Sequence, residues 1–309
     1  MKGVRQQGAA LILAILVVAL ASSIAIFMAA QQSMWTQQAA NLSARGQSKA
    51  LTHAAIDWAR GILAEDARNT KADHLGEPWA SRLPSLPIES GSLSGTLSDQ
   101  QALFNLNNLV RNGQDSEADI AVFKRLLGQL QLAPDLVAPL LDWIDADSTS
   151  HTPSGAEDGY YLQANPPYRC ANRQLLNIEE LYRVRGFNRD NIERLRPFVT
   201  ALPVYSRINV NTAPREVLMA LLPDLNETDI SSLLANRKGA HFKSRLDFRA
   251  RLPQALPALS DESYDVASHY FSALVIVRTN HVQTAYEALL ARPLEAGWPA
   301  IVWQRELAE

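Results

Sequence analysis

The sequence predicts an α+β fold: a long N-terminal helix lying on a small antiparallel sheet, with a large all-α insert between the strands of that sheet. Three observations carry this. No proline interrupts the chain before Pro78, so one helix can run from apolar into polar sequence without a break. Strand-like alternation appears in two distant places, 93–106 and 270–303. Between them helical signals dominate, which is what an insert into a split sheet looks like in sequence.

The first element is the N-terminal stretch. Lys2 and Arg5 are the only charges before Arg45, and the run from Ala9 to Ala30 holds neither a charge nor a proline. As a helix that run is about 33 Å long, enough to cross a bilayer. Basic residues ahead of it favour a cytoplasmic N-terminus. A secretory signal would have a shorter apolar core followed by its cleavage site. Here the small-residue junction, Gly8-Ala9, comes before the apolar run, so the helix is expected to be retained. From Gln31 to Arg68 the composition turns polar, and Leu51, Ala55, Trp58 and Ile62 mark one apolar face at helical spacing. Gly46 and Gly61 weaken this helix without ending it. Glu77 to Ser92, rich in proline, reads as a loop.

The basic leader ending in Gly8, followed by an apolar helix from Ala9, resembles the type III signal of type IV pilins and type II secretion pseudopilins. The resemblance implies that a prepilin peptidase cuts between Gly8 and Ala9 and methylates the new amine. Most members carry Glu at the fifth mature position, which here is Leu13. Loss of that Glu is typical of the K-type minor pseudopilin, thought to sit at the filament tip with no subunit above it. A carboxylate without a partner would be costly there.

The strands are expected at 93–106, ending in FNLNNL, and at 270–279, 282–291 and 300–303, with Asn280-His281 as a short hairpin turn. That arrangement matches the pilin plan. The chain then divides into a leader (1–8), a transmembrane part (9–30), the rest of the long helix with the first strands (31–109), a helical insert (110–268) and the last strands (269–309). Helices are expected at 116–130, 134–146, 177–182, 189–198, 214–222, 227–236 and 244–251. FNLNNL echoes INVNTA at 208–213, and asparagines at such places satisfy the open N–H groups of a helix start.

The segments 177–198 and 208–248 resemble helix-hairpin-helix or SAM-like units. Such hairpins often hold phosphates. The hairpin LLPDLNETD has no glycine and carries three acids, which is hostile to phosphate. VRGFNRD keeps Gly186 beside Arg183, Arg185 and Arg189. With a net charge of -3 the chain lacks the basic excess of a general nucleic-acid binder, and no nucleic acid is expected as a partner. Both units read as scaffolding for protein contacts.

The most informative stretch chemically is 140–172. From Leu126 to Tyr168 there is no Lys or Arg, but six acids: Asp135, Asp142, Asp145, Asp147, Glu157 and Asp158. Either solvent spreads these carboxylates or a cation gathers them, and hard oxygen ligands favour calcium. The EF-hand pattern is absent: from Asp145, the sixth position is Ser150 and the twelfth is Ala156. DWIDAD, then Gly-Ala-Glu-Asp, a Tyr-Tyr pair, NPPYR and AN resemble the calcium loop of the type II secretion minor pseudopilin K family. That resemblance implies two structural calcium ions, held by Asp145, Asp147, Glu157 and Asp158, with Asp142 and Asn172 as weaker candidates.

No catalytic pattern stands out. The six histidines form no HExxH pair, and GxSxG and GxxxxGK[ST] are missing. Asp145 and Glu157 could pair as in a glycosidase, but the loop has no sugar platform beyond Tyr160 and Tyr161. The single cysteine, Cys170, reads as a small buried residue. The expectation is a non-enzymatic, single-pass inner-membrane protein with its folded domain in the periplasm. Its implied partners are minor pseudopilins I and J, the prepilin peptidase and other pseudopilus subunits. Alternatives are a minor pilin of a type IV pilus or DNA-uptake machine, and a membrane-anchored hydrolase.

Overall fold

The computed structural model describes residues 4–88, 91–253, 256, 259–279, 283–295 and 297–307, with side chains from residue 9 onward. Helix α1, Val4–Asn69, is continuous and about 99 Å long. Its apolar window lies wholly outside the packed part of the molecule. Its last third packs on a five-stranded sheet of β1 (Leu83–Ile88), β2 (Gly91–Asp99), β3 (Tyr270–Thr279), β4 (Gln283–Ala291) and β5 (Ala300–Leu307). All neighbours are antiparallel and the strand order is β1-β2-β3-β4-β5. The insert separates β2 from β3. The expected turn at Asn280-His281 lies outside the described residues.

Strand β3 buries every second residue, Phe271, Ala273, Val275 and Val277, against Ala55, Ile56, Ala59 and Leu63 of α1. The expected helix face is therefore rotated. Trp58 is 48% exposed, while Ser48 and Thr52 are buried beside the small Ala55 and Ala59. Small side chains let the helix approach the sheet closely, and the large indole is left at the rim. The stretch 83–88, expected as loop, is strand β1. Pro84 and Pro87 are tolerated because β1 is an edge strand and needs donors on one side only.

The first strand ends at Asp99, earlier than its apolar pattern suggests. The Asp99 carboxylate accepts from the Gln101 N–H at 2.8 Å and starts a 3-10 turn. Phe104 and Asn105 then pair with Val199 and Thr200 and belong to the packing of the insert.

The insert contains α2 (Glu117–Gln129), α3 (Val137–Ile144), α4 (Asp158–Tyr161), a 3-10 helix (Ile178–Arg183), α5 (Arg189–Leu195), α6 (Arg215–Leu221), α7 (Glu227–Gly239) and α8 (Arg245–Ala250). The expected helix at 177–182 is thus 3-10. Cap side chains set the starts: Asn188 with Asn191 for α5, and Asn226 with Asp229 for α7.

The repeated asparagine motif does two jobs. Asn105 and Asn209 each accept from the N–H two residues on, as a local cap. Asn107 and Asn211 instead clamp distant backbone, each pairing with both N–H and C=O of one residue, Leu175 and Phe242 respectively. The echo extends further: the Leu176 N–H donates to Glu180 and the Lys243 N–H to Asp247. Asn107 also donates to the Leu202 carbonyl at 2.9 Å. Asn107→Ala strands these buried backbone groups and is expected to cost about 3 kcal/mol. A thermal melt showing no loss would contradict the clamp.

Polar contacts join insert to sheet at several points, two of which stand out. On the open face of the sheet, Glu179 receives Arg196 at 2.9 Å and Arg305 of β5 at 2.8 Å. Burial alone would raise its pKa, but the hydrogen bonds from Arg305 and Arg196 hold Glu179 at about 2. A carboxylate depressed in this way stabilises the fold above its ordinary value of 4.5 and loses that contribution as pH falls towards 2. Glu179→Gln is therefore expected to flatten the melting temperature across that window, and an unchanged slope would contradict the clasp.

The second contact is buried. Arg292, after β4, binds Asp66 of α1 at 2.9 Å and also Asp73 and the Ser268 carbonyl. Asp99 accepts from Ser268, Thr212 and Asn209, so the long helix, the sheet and the insert meet in one network.

Candidate metal centre

Helix α3 positions the acidic loop. Val137, Leu140, Leu141, Trp143 and Ile144 are buried in the insert core, and this fixes where the chain emerges at Asp145. The negative end of the helix dipole faces the emerging acids, which favours a cation there. Trp143 packs edge-on against Tyr161 at 5.2 Å, and Tyr161 lies 5.2 Å from Tyr168, so both ends of the loop share an aromatic anchor.

Within this frame Asp145, Asp147 and Glu157 each present a ligand atom, all within 4.8 Å of one another. Asp145 Oδ1 and both Glu157 oxygens are buried with no hydrogen-bond partner among the described residues. Asn172 Oδ1 is buried and unpartnered too, while its Nδ2 donates to the Asp147 carbonyl at 2.5 Å. Burial, followed by repulsion from Asp147, pushes Asp145 up to about 7, and burial with Asp142 raises Glu157. Buried oxygens with no donor, on acids that repel one another, fit a hard divalent cation.

The other two acids behave differently. Asp142 is fully buried, but its oxygens accept from the N–H of His151 at 2.9 Å, Ser150 Oγ at 3.1 Å and the Ala156 N–H, and they pair with the His151 ring. It organises the loop. A Cβ on Gly155 would collide with its carboxylate. Asp158 starts α4, accepts the Cys170 N–H at 2.9 Å and lies outside the three-acid group. Cys170, expected to be buried, is half-buried and packs against the insert core, and burial pushes its thiol up to about 12.

His151 went unnoticed in the sequence. Its Nδ1 faces Asp142 and its Nε2 meets Asp115 at 2.9 Å, and with Asp142 and Asp145 it forms a second group of possible ligands. Burial would lower its pKa, but the hydrogen bonds its ring donates to Asp142 and Asp115 raise it. Its only sequence signal was a position inside a loop without Lys or Arg.

At the other end of the molecule, Gly8 and Ala9 lie within α1, and Leu13 is 68% exposed on its apolar surface. Residues 102–204 and 208–272 both match the family described as type II secretion system (T2SS), protein K.

The chain belongs to the type II secretion system protein K family.

It is 32% identical to the type II secretion system protein K of Pseudomonas aeruginosa over 280 residues, 87% of this chain and 84% of that one. The protein K of Aeromonas hydrophila is 30% identical over 309 residues, covering 93% of each chain. A chain in the crystal structure of the GspK-GspI-GspJ complex from enterotoxigenic Escherichia coli superposes with a TM-score of 0.77 at 25% identity, covering 88% of this chain and all of that one. The protein is a minor pseudopilin, a structural component of secretion, and its apolar α1 segment is long and apolar enough to cross a membrane. The pilus and DNA-uptake reading is not favoured.

Proposed function

We propose that this minor pseudopilin sits at the tip of the periplasmic pseudopilus with minor pseudopilins I and J and helps start or limit its growth. The observation that carries the reading is Leu13 within an otherwise regular prepilin-type segment. An apolar residue there needs no partner amine from a subunit above. The part of α1 beyond the membrane supports it: Met34, Trp35 and Leu42 are exposed on a helix whose side chains face outward up to Ser43. Such a surface fits neighbouring helices. The crystallised GspK-GspI-GspJ complex supplies the partner identities.

In this reading a prepilin peptidase cuts at Gly8-Ala9, the anchor rests in the inner membrane with its N-terminus cytoplasmic, and the folded domain is periplasmic. Other pseudopilus subunits follow below the tip. Asp145, Asp147, Glu157 and Asn172 would hold structural calcium, with Asp142 and His151 shaping the site and a second ion closer to Asp158. Bound calcium would supply positive charge that neutralises the buried acids.

The test is co-purification of the full chain from detergent-solubilised membranes with tagged I. Recovery of all three subunits together is the expected result. Recovery of I and J without this chain would overturn the proposal.

A further inference from the structure

We propose that the exposed turn Arg183–Arg189 of the insert is a docking surface for an acidic segment of a partner protein. From Arg125 to Arg237 the chain contains no lysine, and its fixed cations there are all arginine. Guanidinium forks pair with carboxylates in two-pronged geometry, which ammonium groups do not. Around the turn, Arg169, Arg173, Arg194 and Arg196 are each ion-paired within the chain. Arg183, Arg185 and Arg189 are exposed and enter no ion pair among the described residues.

The turn is held firmly while its arginines face solvent. Val184 and Phe187 are buried on either side of Gly186, which has a φ of +84° and whose absent Cβ would lie 2.9 Å from Leu136. Asn191 Nδ2 donates to the Gly186 carbonyl at 3.0 Å. The acidic loop grips the turn from the other side. The Arg185 N–H donates to the Tyr161 hydroxyl at 3.2 Å, and the Tyr168 hydroxyl donates to the Arg183 carbonyl at 2.8 Å. The Arg185 guanidinium donates to the Gly155 carbonyl and lies 4.7 Å from the Tyr160 ring centre. A surface ordered beforehand loses little freedom when it binds.

The surroundings select the partner. Asp158, Asp190 and Glu193 have side chains 41%, 84% and 54% exposed near the arginines. Each is already ion-paired, to Arg169, Arg194 and Arg196 respectively, which leaves Arg183, Arg185 and Arg189 open to the carboxylates of a short acidic segment.

The test uses the full chain in detergent and a fluorescent oligoglutamate peptide, read by anisotropy. Arg183→Glu with Arg189→Glu is expected to weaken peptide binding by about tenfold or more, to leave the melting temperature unchanged, and to create binding of an oligolysine peptide. Tyr160→Ala, which removes the ring under Arg185, is expected to weaken it less. Unchanged peptide binding in the double variant would overturn the proposal. So would tighter binding of single-stranded DNA or of phosphatidylglycerol vesicles than of the peptide.

Discussion

Arg292→Met is expected to lower the stability of the folded domain by about 3–5 kcal/mol, because it leaves two buried carboxylates without their cation. Arg292, Asp66 and Asp73 have side chains 7%, 6% and 2% exposed, so water cannot take over the solvation of either acid. Methionine keeps much of the aliphatic stem but removes the guanidinium, whose carbon lies over the Phe271 ring at 4.9 Å from its centre. The loss is therefore mainly electrostatic, and it falls on the point where α1, the sheet and the insert meet. Burial, with Glu77 and Asp73, already pushes Asp66 up to about 7 against the pull of Arg292. Without Arg292 it rises further. A carboxyl raised in the folded state favours the fold when protonated and opposes it as pH rises through the folded value. The deficit of the variant should thus shrink as pH is lowered, and adding Asp73→Asn should recover part of it. Thermal melts across pH check both. A variant as stable as the parent at neutral pH would contradict the role given to Arg292.

Calcium is expected to raise the melting temperature, and chelation to lower it. At a free concentration about 100 times the dissociation constant, one ion binding only the folded loop stabilises by about 2.7 kcal/mol. The sign of the variant effects is the stronger test. Asp145 is raised to about 7 in the absence of an ion, so the metal-free loop loses stability as pH rises through that value. Asp145→Asn removes that penalty and also removes a ligand. It should be more stable than the parent in chelator and less stabilised when calcium is added. Glu157→Gln should behave likewise, since both of its oxygens are buried without donors. Asp158→Asn should leave the three-acid site intact, because Asp158 lies outside that group. Identical melts with calcium and with chelator, in a protein found to contain no metal, would sink the calcium proposal.

Much of the fold was legible because its signals are periodic. Strand β3 carries a period-two pattern, and helices of the insert such as α5 and α7 start at side chains that cap them. What escaped depends on position in space. Pro84 and Pro87 argue for a loop until β1 proves to be an edge strand. Trp58 advertises an apolar face that the small residues Ser48, Thr52, Ala55 and Ala59 in fact provide, because close packing rewards small volume over hydrophobicity. The partners Asp66 and Arg292 are 226 residues apart and leave no local pattern.

The site divides in the same way. A run of uncompensated acids drew attention to Asp145, Asp147 and Glu157, which the fold brings together. Charge alone did not separate them from Asp142, whose oxygens are filled by the Ser150 hydroxyl, the backbone of His151 and Ala156 and the His151 ring, or from Asp158, which holds the Cys170 N–H. Nor did it reveal that Asn172 has an unfilled buried oxygen.

The central claim is that this minor pseudopilin occupies the end of the filament. The direct measurement is immunogold labelling of a C-terminally tagged full chain on pseudopili assembled with its companion subunits. Label confined to one end of each filament is the predicted result, and label spread along the shaft would contradict it.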